Sequence, residues 1–422
     1  MAVTPKSIYV YAHWQGIDDP ALVGTLTATP SKGKEIFAFE YAEEWLHANY
    51  SQTLDPNLQL FAGRQYAPQE KSNFGIFMDS SPDRWGKVLM RRREAILARK
   101  EDRKPTTLLE SDYLLGVYDG HRMGALRFKT NIEEAFLSDE KDLASPPWAS
   151  LRELEYASLR LEAEEDMKDD EAIKWLNMLM APGASLGGAR PKASIKDTKG
   201  ELWIAKFPSV ADDRNIGAWE MVVHELAELA GIRVSRAMLK KFSGKHHTFL
   251  SQRFDRIDEA TRLHFASAMT LLGHNDGEGH QEGVSYLELA EFISTSGANV
   301  KKELEELWRR IVFNICVKNT DDHLRNHGFI LTTGGWELSP AYDMNPVPNG
   351  HGLTLNISED DNSLDIDLAL SVAQYFRIVK KDGEGIIDQV LSAVGQWRKI
   401  ATKHKLSKAE QDSMEGAFRT VI

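Results

Sequence analysis

The sequence predicts an α+β protein in which a strand-rich unit precedes a helix-rich one. Two short extended runs, Ala193–Asp197 and Leu202–Phe207, flank the polar turn 197–200, a pattern typical of a hairpin. Farther along, apolar side chains recur at the spacing of a helix face between Tyr286 and Val317. The chain has 422 residues, 42% of them apolar, which is enough for two or three folding units.

Charge and cysteine content exclude several classes of protein. The chain has 63 acidic and 51 basic residues and a net charge of −12, a weak electrostatic basis for direct nucleic-acid binding. It has no 18-residue apolar run, and its first 16 residues lack the pattern of a secretory signal. A single cysteine, Cys316, excludes an intrachain disulfide framework and a cysteine-rich zinc site. These features predict a cytoplasmic protein.

The amino-terminal part is predicted to mix strands and helices. Strands are expected at Ser7–Tyr11 and Leu22–Leu26, and a helix at Asp83–Lys100. Residues 131–150 include two prolines among polar residues, and we interpret them as a boundary or long connector. The acidic stretch Leu151–Glu171 is expected to form a solvated helix or loop.

A helix is predicted on each side of the hairpin, and a further strand at Thr248–Arg253. The first helix should end at Pro182–Gly183, because proline cannot continue it. Asn215 is a candidate cap for the second. The expected apolar faces consist of Ile173, Leu176, Leu179 and Met180 in the first helix, and of Trp219, Val222, Val223, Leu226 and Leu229 in the second.

The carboxyl-terminal part is predicted to be mostly helical, with one interruption. The polar stretch Lys318–His327 follows the helical region, and a hairpin with strands at Phe329–Leu331 and Trp336–Leu338 comes next. The tail beyond Asp343 is again helical. Its clearest apolar stripe consists of Ile386, Ile387, Val390, Leu391 and Val394.

The polar stretch contains an arrangement that suits phosphoryl transfer. Asp321 is followed five positions later by Asn326, and a further aspartate, Asp343, comes directly after the hairpin. Kinases need one carboxylate to accept the hydroxyl proton, and an asparagine and a second carboxylate to hold magnesium. Such oxygens are hard ligands, and magnesium keeps water and phosphates in its other positions. In the alternative interpretation, Asp321, Asp322 and Asn326 are ordinary turn residues.

A glycine-rich loop and a lysine lie upstream. Residues 185–192 read Ser-Leu-Gly-Gly-Ala-Arg-Pro-Lys and lead into a strand, which is not a Walker A arrangement. Glycines let backbone N–H groups approach phosphates closely. Lys206 lies on the second hairpin strand, where a kinase places the lysine that binds the nucleotide phosphates. In the alternative interpretation, Lys206 is a charge on an edge strand that deters aggregation. Glu220 on the next helix is interpreted as part of a solvated face, with pairing to Lys206 as the alternative.

Seven motifs stand out along the chain, two of them in its first third. They are SSPDRWGKVLMRRRE (80–94), YLLGVYDGHRMGALRF (113–128), GGARPKA (187–193) with the serine that precedes it, WIAKFP (203–208), SQRFDRI (251–257), NTDDHLRNHGF (319–329) and LSPAYDMNP (338–346). In combination they resemble the HipA family of bacterial serine/threonine kinases, the toxins of HipA–HipB toxin–antitoxin pairs, and the resemblance spans nearly the whole chain.

The resemblance implies a two-lobed, protein-kinase-like α+β fold with an added amino-terminal accessory α/β subdomain. Residues 1–135 would form the accessory subdomain. Residues 136–255 would form the strand-rich lobe with the glycine-rich loop, and residues 256–422 the helical lobe with the catalytic and metal-binding loops.

The resemblance also implies a role for each motif. Asp321 matches the catalytic base, while Asn326 and Asp343 match the magnesium ligands. Ser185 matches the serine that the family autophosphorylates, a modification that draws the loop out and silences the enzyme. The implied ATP contacts are Gly187, Gly188, Ala189, Arg190, Lys192, Lys206, Gln252, Arg253, Phe254, His323, Asn326 and Tyr342. Arg190-Pro191 depart from the Gln-Glu of the founding member, and proline has no backbone N–H to donate.

For function, the resemblance implies magnesium-dependent transfer of the ATP γ-phosphoryl group to a protein serine or threonine. The family's best-known target is glutamyl-tRNA synthetase, so the expected substrate is this enzyme or another translation factor. A HipB-like helix-turn-helix antitoxin is the expected partner. DNA contact would occur only through that antitoxin, and no membrane is involved.

Two other functions stay open. Residues 183–187 fit the G-x-S-x-G pattern of serine hydrolases, with Ser185 as the nucleophile. That elbow joins a strand to a helix, whereas here a helix is predicted before it and a strand after it. The second is a binding role, in which the chain acts mainly as a co-repressor with a DNA-binding antitoxin.

Overall fold

The protein is described by a computed structural model covering residues 4–139, 146–163, 169–180, 190–242, 244–258 and 261–420. The chain divides into two compact units. The first contains the chain up to Ala205 together with Asp255–Asn275, and the second contains Lys206–Phe254 and the chain from Asp276 onward. Both units contain helices and strands, which confirms the predicted α+β class. The three domain ranges remain a prediction.

A five-stranded antiparallel sheet organises the first unit, with the strand order β4-β3-β2-β1-β5. Ile8 and Val10 of β1 are buried and alternate with more exposed neighbours, which is the two-residue period of a strand with one covered face. The strands and helices of this unit are β1 (Lys6–Ala12), β2 (Ala21–Ser31), β3 (Lys34–Tyr41), α1 (Glu43–His47), β4 (Arg64–Tyr66), α2 (Gly75–Asp79), α3 (Arg84–Lys100), α4 (Glu110–Leu115), β5 (Leu126–Lys129), α5 (Leu151–Glu162), α6 (Asp169–Leu179), β6 (Lys192–Lys196), β7 (Leu202–Lys206, whose last residue belongs to the second unit), β10 (Phe265–Ser267) and α8 (Ala268–Leu272).

Asp83 joins a helix cap to a buried ion pair. One carboxylate oxygen accepts from the Gly86 N–H at 2.8 Å and caps α3, as expected for an aspartate at the N-cap position. The other lies 2.6 Å from the Lys192 ammonium, and the two side chains are only 4% and 3% exposed. The Trp85 indole donates to the Lys192 carbonyl at 3.2 Å. Residues at the start of α3 therefore bind both the side-chain ammonium and the backbone carbonyl of Lys192.

The acidic stretch after the connector differs from its prediction. Its first part is α5, which buries Leu151, Leu154, Ala157 and Leu161, so it is a packed amphipathic helix and the solvated interpretation is wrong there. Arg152 and Glu153 lie on the exposed side of this helix, whereas Glu155 is 2% exposed, so acidic composition alone does not predict which residues face solvent. The predicted helix end at Pro182–Gly183 lies outside the described residues.

The hairpin predicted around residues 197–200 is present between β6 and β7, which are neighbours in a sheet. The Asp197 carboxylate accepts from the N–H groups of Lys199 and Glu201, at 2.8 and 2.9 Å. Gly200 has a φ of +85°, a conformation in which a side chain would be strained. The turn delivers Lys206 at the end of β7.

The second unit is mainly helical. Asn215 caps α7 through a hydrogen bond from the Ala218 N–H to its side chain at 3.3 Å, as predicted. Leu229 is the exception on the predicted face, since it ends the helix and is 53% exposed. The elements of this unit are α7 (Ile216–Leu229), β8 (Ala237–Lys240), β9 (Thr248–Gln252), α9 (Tyr286–Ser296), α10 (Val300–Val317), β11 (Gly328–Thr332), β12 (Gly335–Leu338), α11 (Ile366–Ser371), α12 (Lys380–Val394), α13 (Trp397–Lys403) and α14 (Lys408–Met414).

The core of the second unit surrounds α10, whose Trp308, Ile311 and Phe313 are fully buried. Cys316 lies in the same helix, and burial raises the pKa of its thiol to about 12. Among the described residues, no helix is both long and apolar enough to cross a membrane.

The buried pair suggests a stability experiment. Asp83→Ala removes the cap and leaves the Lys192 ammonium buried without its carboxylate, so we expect the free energy of unfolding to fall by about 3–5 kcal/mol in urea titrations. The double variant Asp83→Ala/Lys192→Met should recover part of that loss, because no unpaired charge remains. An equal or larger loss in the double variant would contradict a dominant role for the ion pair.

Candidate active site

Two carboxylates share one lysine at the centre of the candidate site. The Lys206 Nζ atom lies 2.5 Å from the Glu220 Oε1 atom and 2.6 Å from the Asp343 Oδ1 atom. All three side chains are largely buried, with exposed fractions of 12%, 7% and 20% for Lys206, Glu220 and Asp343. The end of β7, the first turns of α7 and the segment after β12 therefore meet at this ammonium group.

Opposing effects set the ionisation of this lysine. Burial lowers the pKa of the Lys206 ammonium, but the charges of Asp343 and Glu220 outweigh burial and raise the pKa above its ordinary value. The group is therefore charged at neutral pH. It holds together two carboxylates that would otherwise repel each other.

Glu220 corrects one interpretation of the sequence. The sequence favours a solvated helix face for Glu220, whereas the residue is buried and paired with Lys206. The reason is that α7 is buried on most sides near its start, where Ala218, Trp219 and Met221 are also covered. The edge-strand interpretation of Lys206 is wrong for the same reason, because its charge faces inward.

Asp343 is held in an uncommon backbone conformation. Its φ of +56° lies in the left-handed region, which aspartate adopts more readily than most residues. Two residues on, the Asn345 side-chain amide donates to the Asp343 Oδ1 atom at 3.3 Å. The Asn345 backbone N–H donates to the Asn319 side-chain oxygen at 3.1 Å. The segment carrying Asp343 is thus attached to the residue that opens the NTDDHLRN motif.

The loop 321–326 presents Asp321 and Asn326 differently. Asp321 is exposed, while Asn326 is 4% exposed in a single 3₁₀ turn. The Asn326 amide donates to the Asp321 carbonyl at 3.0 Å, which closes the loop. Its buried Oδ1 atom accepts no hydrogen bond from any described residue. The backbone N–H of His323, which lies between these two residues, also donates to the Asp321 carbonyl at 3.0 Å.

The neighbouring Asp322 is buried, unlike Asp321. Its Oδ2 atom accepts from the Tyr286 hydroxyl at 2.5 Å and the Asn314 amide at 2.8 Å, and it lies 2.7 Å from the His327 Nε2 atom. Burial raises the pKa of Asp322, but the charge of His327 and these hydrogen bonds outweigh burial and hold the pKa below its usual value. The turn-residue interpretation is therefore wrong for Asp322.

Tyr342 joins two of the predicted nucleotide-contacting segments. Its ring stacks on Phe254 with the centroids 5.7 Å apart, and its hydroxyl donates to the Arg325 carbonyl at 2.7 Å. Gln252 ends β9, where its N–H donates to the Arg236 carbonyl at 2.8 Å, and Arg253 is 4% exposed. A segment after β9 and the loop 321–326 are thus bridged by one tyrosine.

Two more of the predicted ATP-contacting residues belong to the first unit. Lys192 is buried in the first unit against Asp83, and Arg190 is partly exposed. Ser185, Gly187, Gly188 and Ala189 lie outside the described residues. Their proposed roles in binding the nucleotide and in autophosphorylation stay predictions.

Several residues of the site were not singled out from the sequence. Asn345 is marked only by its place in the YDMNP motif, and Asp322 by its position next to Asp321. Asn314, Asn319, Tyr286 and His327 carry no signal of their own, because the contacts that give them a role are up to 36 positions apart.

A cavity of about 600 Å³ opens beside the same loop. Thr320 contributes to its wall, and the Thr354 hydroxyl donates to the Thr320 carbonyl at 2.8 Å. The lining residues are Gly277, Gly279, His280, Gln281, Glu282, Thr320, His351, Gly352, Leu353, Thr354 and Asn362. The space is polar and lies next to the residue that precedes Asp321.

The family assignment follows from residues 184–398, which match the family described as HipA-like C-terminal domain and make up just over half of the chain. The chain belongs to the HipA-like family. The matched range includes Lys206, Glu220 and Asp343 as well as the loop 321–326, so the whole lysine–carboxylate cluster lies within the region that matches the family. The resemblance inferred from the sequence is confirmed.

Two curated relatives are similar to this HipA-like chain over part of its length. A putative kinase of Haemophilus influenzae strain Rd is 28% identical over 194 residues, which are 41% of this chain and 56% of the relative. The serine/threonine-protein kinase toxin HipA of Shewanella oneidensis MR-1 is 24% identical over 191 residues, 39% of this chain and 43% of the relative. The chain thus spans about half the length of the curated relatives that it matches.

A solved structure extends the likeness in fold to nearly the whole chain. It is the Shewanella oneidensis MR-1 HipA in a complex with HipB and operator DNA, and it covers 97% of this chain and 94% of its own. The TM-score is 0.63 at 16% sequence identity, so the likeness concerns the fold. The predicted kinase-like α+β fold is confirmed by this match.

The Lys206 cluster predicts a difference between two glutamates of α7. Glu220→Gln removes a buried charge-assisted partner of Lys206, so we expect the free energy of unfolding to fall by about 1.5–3 kcal/mol. Glu228 lies on the same helix and is exposed, so Glu228→Gln should change the free energy of unfolding by less than about 0.5 kcal/mol. Urea unfolding followed by circular dichroism measures both. Equal effects would contradict the buried pairing.

Proposed function

We propose that this chain is an ATP- and magnesium-dependent serine/threonine protein kinase of the HipA type. The main support is the single ammonium group of Lys206 held between Glu220 and Asp343. In protein kinases, two features must be in place for phosphoryl transfer. One is a strand lysine paired with a helix glutamate, and the other is an aspartate that binds the metal ion. The names of the two curated relatives, a putative kinase and a kinase toxin, agree with this proposal.

In this mechanism the chain's own residues position the reactants. Lys206 has three N–H donors, and Glu220 and Asp343 use two of them, which leaves one for a phosphate oxygen. The exposed carboxylate of Asp321 accepts the proton of the acceptor hydroxyl as that oxygen bonds to the γ-phosphorus atom. The bond from this phosphorus to the bridging oxygen breaks in the same step, and ADP leaves with the bonding electron pair. Most of the rate enhancement then comes from orientation and charge neutralisation.

The side chains present fit a magnesium ion. The buried side-chain oxygens of Asn326 and Asn345 accept no hydrogen bond from any described residue, and Asp343 adds a carboxylate. These are the hard oxygen donors that magnesium prefers. When bound with ATP, the ion neutralises phosphate charge. Asn326 and Asp343 would hold it, and Asn345 keeps Asp343 in place.

The finer parts of the proposal follow from family membership. Ser185 is the proposed site of autophosphorylation, and a HipB-like helix-turn-helix antitoxin is the proposed partner, as HipB is for the Shewanella protein. The proposed substrate is glutamyl-tRNA synthetase or another translation factor, modified in the cytoplasm. The polar cavity beside Thr320 leaves room for part of an acceptor segment next to Asp321.

Three variants test the catalytic assignment. Asp321→Asn should lower the rate of phosphoryl transfer by about 10²–10⁴-fold, the usual contribution of a positioned base. Lys206→Met and Asp343→Asn should also abolish most activity, because they remove the phosphate donor and the metal carboxylate. The measurement is transfer of ³²P from labelled ATP to the chain and to myelin basic protein as a generic acceptor.

Asp388→Asn is the matched control for these variants, because Asp388 is an exposed aspartate on α12. It should retain wild-type activity. Normal transfer by Asp321→Asn and Asp343→Asn would refute the kinase assignment. The serine hydrolase alternative is tested with ester substrates and one more variant, Ser185→Ala. Ester hydrolysis that is lost in Ser185→Ala but kept in the other variants would favour that alternative.

Metal binding is tested separately from turnover. Asn326→Leu removes the unpaired buried oxygen at similar size, so we expect the dissociation constant for Mn²⁺ in the presence of ADP to rise about tenfold or more. Electron paramagnetic resonance of free Mn²⁺ measures this. Asn299→Leu, at an exposed asparagine before α10, should leave the constant unchanged. Equal constants for the two variants would exclude Asn326 as a ligand.

A further inference from the structure

A buried carboxylate that the proposed mechanism does not use lies next to the proposed base. Asp322 is 4% exposed, and three donors surround its Oδ2 atom: the Tyr286 hydroxyl on α9, the Asn314 amide on α10 and the His327 ring after the loop. Burying a charge in this way is unfavourable unless the donors are held in place. The Asp322 carboxylate therefore fixes the positions of the three groups that donate to it.

From Asp322 a chain of hydrogen bonds leads to the metal-binding aspartate. Asn314 donates to Asp322 and accepts from the Asn319 amide at 3.1 Å. The Asn319 oxygen accepts from the Asn345 N–H at 3.1 Å, and the Asn345 amide reaches Asp343 at 3.3 Å. We call these five residues, Asp322, Asn314, Asn319, Asn345 and Asp343, the asparagine chain.

We propose that Asp322 is a positioning residue for phosphoryl transfer, which acts through the asparagine chain to fix the loop 321–326 relative to Asp343. This proposal rests on the proposed function. Asp322 itself touches neither ATP nor acceptor in it. Its effect reaches the reaction through the backbone of its neighbour Asp321 and through the hydrogen bonds to Asp343.

The geometry favours this role over simple burial. Asn319 and Asn314 each accept through the side-chain oxygen and donate through the side-chain amide, so three successive bonds point from the Asn345 N–H towards the Asp322 carboxylate. The Asn345 side-chain amide donates in the other direction, to Asp343. A charged acceptor at the end of such a chain strengthens the bonds that lead to it. The backbone adds to this, because the Asn319 N–H donates to the Asn314 carbonyl and the Val347 N–H donates to the Lys318 carbonyl, at 3.0 and 3.1 Å.

The variant Asp322→Asn keeps the size of the side chain and removes the charge. If Asp322 positions the loop, kcat for transfer of ³²P to myelin basic protein should fall about 10–100-fold, while KM for ATP changes by less than about threefold. Hydrogen–deuterium exchange of residues 318–327 and 343–347 should become faster than in the wild type. Assays are run well below the melting temperature, so that only folded protein is compared.

Glu303→Gln is the matched control, because Glu303 is a fully buried carboxylate of the same unit outside the asparagine chain. Its Oε2 atom accepts from Arg233 and from the Leu338 N–H at 2.5 and 2.9 Å. It should lose stability without losing kcat. Equal losses of kcat in Asp322→Asn and Glu303→Gln would overturn the proposal, as would a kcat of Asp322→Asn within twofold of the wild type.

A milder variant covers the case in which Asp322→Asn does not fold. Tyr286→Phe removes one donor to Asp322 and keeps the ring, and it should lower kcat about 3–10-fold with faster exchange of residues 318–327. Unchanged kcat and exchange would overturn the proposal. If the wild type transfers no phosphate at all, the proposed function fails, and the exchange measurement alone decides whether the asparagine chain orders the loop.

Discussion

The attraction between Lys206 and its two carboxylates is the interaction on which the candidate site depends. Glu220 and Asp343 come from a helix and from a segment more than 120 positions later, and both pair with the one positive charge that lies between them. Two like charges in a largely buried site repel each other, and the ammonium group between them offsets that repulsion. The lysine thus links Asp343 to α7 through one charge-assisted hydrogen bond to each carboxylate.

Around this charged centre, order is provided by neutral amides. An asparagine side chain both donates and accepts, so a series of asparagines can link one element to the next by hydrogen bonds without adding charge to a buried region. Here the series runs from α10 to the segment after β12. Asp321 can therefore be exposed to solvent while buried groups hold the backbone next to it.

Much of the fold could be predicted from local pattern. The alternation in β1, the cap at Asn215 and the stripe of α12 each depend on residues close in sequence, and the structure confirms them. Glu220 shows the limit, because a charged residue at a helix start reads as solvated until the elements packed around it are known. Asp83 and Lys192 form a pair 109 positions apart that no local pattern indicates. Their contact needs the tertiary structure, and so do the hydrogen bonds of Asp322.

The buried thiol has a practical consequence for studying this protein. Cys316 is the single cysteine of the chain, it is inaccessible in α10, and its high pKa keeps almost none of it as thiolate near neutrality. Maleimide and other alkylating probes react with thiolates at the surface. A cysteine introduced at an exposed position would therefore take up a fluorophore or spin label selectively, and the native residue need not be replaced beforehand.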